Sequence, residues 1–178
     1  QMVPDLSDHK QDIVALDAVA NKIGNHILVT HSAGGFPGWM AAINNTEVKG
    51  VVALEPGGFV FPEDEVPEAL PGLTGGLSGI PVLLEKFMEL TRKPIVILYG
   101  DYIPESGATT LGGSNWEVRL KMAREFVNAI NRHGGNATLI ELPKIGIKGN
   151  SHFLMQELNN DVIAALVAEW LSNNGLSE

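Results

Sequence analysis

The sequence contains no cysteine, which excludes disulfide staples, a thiolate nucleophile and cysteine-ligated zinc within the chain and leaves its redox compartment open. Long apolar runs are missing too. The longest charge-free apolar stretch, residues 69–84, is interrupted by Pro71, Pro81 and four glycines, so it is too short and too broken for the roughly 20 residues a membrane helix needs. Positive charge is scarce: 12 Lys+Arg against 21 Asp+Glu leave a net charge of -9, a field that repels polyphosphate backbones and anionic bilayers. Neither a nucleic acid nor a membrane is expected as a partner. The phosphate-cradling GxxxxGK[ST], the zinc motif HExxH and a post-strand GxGxxG are all missing, so no metal and no cofactor is expected.

What remains describes one globular unit. A length of 178 residues with 44% hydrophobic and 19% charged residues suits a single domain with a sizeable core. The first residues, QMVPDLSDHKQD, lack the basic-then-apolar layout of a signal peptide, which is expected either never to have existed or to have been removed.

Apolar periodicity predicts a helix over residues 8–23, closed by Gly24-Asn25. The β-branched run HILVT (26–30) reads as a strand buried on both faces, followed by a helix over 36–45 and a second strand, GVVAL, at 50–54. Residues 59–92 read as an irregular insertion or lid with a helix over 82–90, too long for a plain connection. A strand at 94–99, an amphipathic helix at 116–133, a strand at 137–142, a loop over 143–152 and a helix at 161–171 complete the order. Alternation of this kind implies an α/β fold, a mostly parallel sheet with helices on both faces.

The strongest chemical signal lies between the first strand and its helix: Thr30-His31-Ser32-Ala33-Gly34. A serine at a tight strand-to-helix turn is lifted out of the sheet, and small residues are needed two positions to either side. Thr30 stands where glycine is usual. The helix that follows supplies a positive dipole end and the Ala33 N–H as an oxyanion donor. A serine hydroxyl needs a base. Among the five histidines, His152 alone sits in a loop after the last strand. His9 and His133 lie on polar helix faces or ends, His26 opens a strand, and His31 is read as a packing neighbour of the serine. Two acids at strand ends could orient His152, namely Glu55 and Asp101, and spacing leaves them level.

The segments ILVTHSAGG, GVVALEPGG, PIVILYGDYIPE and GIKGNSHFLMQELNN resemble the α/β-hydrolase superfamily, and within it bacterial-type esterases whose acid is a glutamate after the sixth sheet strand. The resemblance runs from about residue 26 to the C-terminus. It implies Ser32 as nucleophile, His152 as base and Glu55 as acid, with Asp101 left a structural role. It also implies that this chain holds the C-terminal half of such a domain, because several strands and the second oxyanion donor precede the serine in that family. HILVT would then form an uncovered edge, an aggregation hazard, so a second chain carrying the N-terminal half is expected as a partner. The expected reaction is hydrolysis of a small carboxylic ester or lactone through an acyl-enzyme. A non-catalytic binding module, or an inactive fragment, is the alternative, and an acyltransferase or haloperoxidase-like hydrolase with the same three residues is a lesser one. Phe59, Phe61, Leu70, Leu73, Leu77, Ile80, Leu83 and Phe87 either line an acyl pocket or pack the insertion onto the body. The triplets beginning at Asn44 and Asn136 fit the N-glycosylation pattern and lean towards a secreted or periplasmic location.

Overall fold

Short β-branched runs bounded by turn residues form four strands side by side; those at 48–54 and 94–99 bury both faces, whereas HILVT, expected to be buried on both, lies at the sheet edge and leaves Val29 60% exposed. In the computed structural model, which describes residues 10–73 and 75–177, β1 (His26–His31), β2 (Val48–Leu54), β5 (Pro94–Tyr99) and β6 (Asn136–Glu141) form a parallel sheet in that order. Thr30 pairs with Ala53, Ala53 with Ile97 and Ile97 with Leu139. Parallel strands in register bring all four C-terminal ends to one rim, and each predicted site residue follows one of those ends.

The period of two in each strand divides the interior. Val51, Ala53, Ile95, Ile97 and Tyr99 point to one face, under α2 (Gly35–Asn44), α3 (Leu84–Thr91) and α4 (Leu111–Arg132). Val52, Leu54, Val96 and Leu98 point to the other, where α5 (Asn160–Asn173) supplies Ile163, Leu166, Val167 and Trp170. The first helix, α1 (Lys10–Ile23), packs against α2. Residues 8 and 9 of its expected span, including His9, lie outside the described residues.

Most boundaries fall within two residues of expectation, and two regions depart further. Helix α4 starts five residues early, at Leu111, because Thr110 caps it by accepting from the Gly113 N–H. Its first turn, Leu-Gly-Gly-Ser, has poor helix propensity and conceals the start. The stretch 59–92 is less irregular than expected. Val60–Pro62 (β3) and Ile80–Val82 (β4) form a separate parallel pair before α3. Three-residue strands containing Pro62 and Pro81 leave no readable alternation.

Phe59, Phe61 and Phe87 of this stretch are fully buried around Phe126, with ring centroids 5.4, 6.1 and 6.3 Å from it. Trp39 closes the cluster at 4.8 Å. Each such ring contributes about 1.5–3 kcal/mol by leaving water. These phenylalanines therefore pack the segment onto the body. Of the eight apolar residues named above, Leu77 and Ile80 reach the cleft beside Ser32.

Candidate active site

Ser32 leaves β1 with φ of 55°, and Glu55 leaves β2 with φ of 42°. Non-glycine residues in this left-handed region cost of order 1–3 kcal/mol each and persist only where the surroundings impose them. Those surroundings are visible. The Gly57 N–H donates to the Ser32 carbonyl at 2.8 Å, the Trp39 Nε1–H to the Gly58 carbonyl at 2.9 Å, and the Tyr99 hydroxyl to the Pro56 carbonyl at 3.0 Å. Three bonds thus clamp the Glu55-Pro56-Gly57-Gly58 loop against the turn. Gly35 allows the approach, since a Cβ there would fall 2.6 Å from that of Pro56. Gly34, two places after Ser32, faces open space in this structure, so the tight glycine is one position later than expected. On the other side, Gly38 of α2 makes room for the methyl group of Thr30, which explains how threonine replaces the usual glycine.

The structure brings Ser32, His152 and Glu55 together. The Ser32 Oγ lies 2.8 Å from His152 Nε2, and His152 Nδ1 lies 2.6 Å from Glu55 Oε2. Glu55 is 1% exposed, a burial that needs compensation, and its Oε1 accepts from the Gly100 N–H at 2.7 Å. A Cβ on Gly100 would sit 2.5 Å from the Asn150 carbonyl oxygen, so glycine is required where β5 ends. Burial, with a smaller contribution from Glu55, pushes the Tyr99 hydroxyl well above the ordinary tyrosine range. It therefore stays a neutral donor.

Asp101 goes elsewhere. Its Oδ1 accepts from the Tyr102 N–H at 2.8 Å and its Oδ2 from the Gly149 N–H at 3.0 Å. These bonds, the Gly149 one first, lower its pKa below the usual aspartate value. Asp101 ties down the loop that presents His152. That loop is further held by reciprocal amide bonds between the fully buried Asn150 and Asn159, at 2.7 and 2.9 Å, and by Ser151 bonding Glu157.

Around the imidazole the structure adds groups that the sequence reading passed over or treated as packing. The His31 Nε2–H donates to the His152 carbonyl at 2.8 Å, with ring centroids 4.5 Å apart. Trp116 covers the other flank, its ring 4.1 Å from that of His152. Ala33, Phe36, Leu77, Ile80, Asn115, Trp116 and Arg119 line a cleft of about 480 Å³ that opens on Ser32. No pattern in the sequence marks Asn115, Trp116 and Arg119, because they approach from a helix more than 80 residues downstream of the serine. The remaining histidines lie elsewhere: His26 Nδ1 bonds the Gly24 carbonyl, and His133 pairs with Glu65.

No protein-family model matches the sequence. Among solved structures, a bacterial esterase is 28% identical, with a TM-score of 0.74 over 99% of this chain and 48% of its own. A monoacylglycerol lipase of Paleococcus ferrophilus (13% identical, TM-score 0.57, covering 94% of this chain and 76% of its own) shares the fold. So does a thermophilic esterase of Thermogutta terrifontis (15% identical, TM-score 0.52, covering 92% and 62%). The fold is that of the α/β hydrolases. Among curated proteins, phiG of a fungal species, named a probable secreted lipase, is 29% identical over 182 residues, or 88% of this chain and 48% of phiG. The chain thus spans about half the length of the curated relative it matches. Within this α/β-hydrolase fold, β1, β2, β5 and β6 carry the serine, the glutamate, the Gly100-Asp101 turn and the histidine at one rim. No helix among the described residues is long and apolar enough to cross a membrane.

Proposed function

We propose that this chain is the catalytic portion of a carboxylic ester hydrolase working through an acyl-enzyme. The observation that carries the reading is the unbroken line from Ser32 Oγ to His152 Nε2 and from His152 Nδ1 to Glu55, set on two strained backbone positions. Strain retained at reactive positions marks function more often than packing.

His152 Nε2 takes the Ser32 proton as Oγ attacks the ester carbonyl, and Glu55 holds the tautomer and balances the imidazolium. The Ala33 N–H, at the positive end of α2, stabilises the oxyanion. His152 then returns the proton to the leaving alkoxide, and water, activated by the same base, frees the acid. A second oxyanion donor comes from outside this chain, with the strands that pair with the open edge of β1. That edge and the adjoining apolar groove support a second chain carrying the N-terminal half of the domain. The likeness to a protein named as secreted, together with the sequons at Asn44 and Asn136, supports export.

The test is intact-mass spectrometry before and after a fluorophosphonate that labels activated serines. A single adduct mapping to Ser32, lost in Ser32→Ala and in His152→Ala, is the expected result, since such residues act as a unit. A co-purifying second mass would identify the chain that completes the sheet. A folded protein that takes no label overturns the catalytic reading in favour of a binding module.

A further inference from the structure

The cleft beside Ser32 is built from neutral residues with one exception. Its lining includes Phe36, Leu77, Ile80, Asn115 and Trp116, and the only charged side chain there among the described residues is Arg119. Arg119 projects from α4 one turn beyond Asn115 and lies over the Trp116 ring, its guanidinium carbon 5.3 Å from the centroid. A guanidinium offers five N–H donors in a planar fork. Nη1 is committed, bonding the Asn115 carbonyl at 2.8 Å and its side-chain oxygen. The Nε and Nη2 donors have no protein acceptor among the described residues, and no carboxylate there pairs with Arg119. Burial pushes its pKa down, and the neighbouring group acting in the opposite direction is the Tyr99 hydroxyl rather than an acid.

The contrast with the other arginines is informative. Arg124 spends both arms on Glu141, at 3.1 and 2.7 Å, and Arg132 pairs with Glu65 at 2.6 Å. Arg92 faces Glu89 at 3.4 Å, so among the four arginines the one at the reactive cleft is the one with no carboxylate partner among the described residues. A half-buried cation without a counter-ion is costly. The same arrangement, pre-oriented by Asn115 and by stacking on Trp116, suits bidentate capture of a planar anion.

Resting on the reading of Ser32 as nucleophile, we propose that Arg119 selects the substrate: the cleft takes esters whose acyl part carries a free carboxylate, the half-esters of dicarboxylic acids, with that carboxylate docked on the Nε and Nη2 edge. The net negative charge of the chain gives no long-range attraction for such a ligand. Discrimination then resides in this local contact, and it appears as a ratio between two esters in one preparation.

The experiment compares kcat/KM for 4-nitrophenyl hydrogen glutarate and 4-nitrophenyl valerate, which share a five-carbon acyl chain and differ in the terminal carboxylate. A hydrogen bond to a charged partner is worth about tenfold or more, so the glutarate half-ester should be favoured by about that factor over the valerate. In Arg119→Gln the ratio should fall to about one, and Arg119→Lys, which keeps the charge and loses the fork, should recover part of it. A purely structural role for Arg119 would lower both rates together and leave the ratio in place. An unchanged ratio in Arg119→Gln therefore overturns the proposal while leaving the esterase reading intact. If neither ester turns over and Ser32 takes no fluorophosphonate, the esterase reading fails by itself. The anion site is then decided by titrating glutarate against the Arg119 Nε–H resonance: a saturable shift supports it, and no shift overturns it.

Discussion

The two faces of the sheet are made from the same four strands, yet they are finished to different degrees. The face under α2, α3 and α4 buries Trp39, Phe59, Phe61, Phe87, Met122 and Phe126 to 1% exposure or less. The opposite face is covered by α5 with the short turns that bring Leu142 and Leu154, and beside that helix lies an open apolar groove of about 460 Å³ lined by Val29, Val52, Leu54, Ile163, Val167 and Leu171. Val29 is 60% exposed in the middle of β1, and β1 is an edge strand. Exposed apolar residues on an unpaired strand mark a surface built to be covered. The candidate active site draws its rigidity from the finished side: Trp39 and Tyr99 clamp the loop after Glu55, and Trp116 braces His152. The chain thus holds the reactive groups firmly while one flank of its sheet stays open.

The comparison is broken most severely by emptying the finished face. Phe126→Ala removes the ring on which Trp39, Phe59, Phe61 and Phe87 converge and should cost about 3–5 kcal/mol. Ile163→Ala on the other face should cost nearer 2 kcal/mol, because its neighbours border an open groove and can relax. Urea denaturation midpoints for the two variants would measure the difference. Equal losses would mean that the faces are equally consolidated.

A smaller change sharpens the dependence of the site on close packing. Gly100→Ala places a methyl group against the Asn150 carbonyl and beside Glu55 Oε1, displacing either the carboxylate or the loop that carries His152. A shift of about 1 Å in a reacting group can cost on the order of a hundredfold in rate. The expected result is a fall of that order in the Ser32 fluorophosphonate labelling rate, with a stability loss of about 1–3 kcal/mol from overpacking. Unchanged labelling would show that the Gly100 contact does not hold Glu55 in place.

The main strands were legible because each is a run of apolar and β-branched residues ended by a serine turn, glycine, proline or an acid: Pro94–Tyr99 is found where it was expected, and β1 and β2 differ by one or two residues. The serine turn was legible as a pattern, but which glycine it needs was not. That depends on Pro56 meeting Gly35 and Thr30 meeting Gly38, contacts between segments distant in the sequence. Spacing likewise left Glu55 and Asp101 level, and resemblance inclined towards Glu55. In the structure His152 meets Glu55, while Asp101 bonds backbone N–H groups. Strands β3 and β4 stayed hidden because their pairing joins residues about 20 apart through a Pro/Gly-rich loop. Arg119 carried no signal at all, since an arginine in an amphipathic helix reads as a solvated face until the cleft is assembled.

The finest form of the comparison uses two adjacent residues of β1 that point to opposite faces. Thr30 lies against Gly38 on the finished side, and its Oγ1 is buried without a hydrogen-bond partner among the described residues. Val29 points into the groove. Thr30→Val keeps the shape and deletes an unsatisfied hydroxyl, so it should stabilise the fold by about 1 kcal/mol. Val29→Thr makes the reverse swap on a surface still in contact with water and should change stability by less than about 0.5 kcal/mol. Once strands are laid against β1, the same Val29→Thr change places a hydroxyl in an apolar interface and should weaken the assembly by about 1–3 kcal/mol. Thermal denaturation of both variants, alone and with the proposed N-terminal partner, separates these effects. A large loss for Val29→Thr in the isolated chain would mean that the groove is already closed in solution, and the contrast between the two faces would disappear.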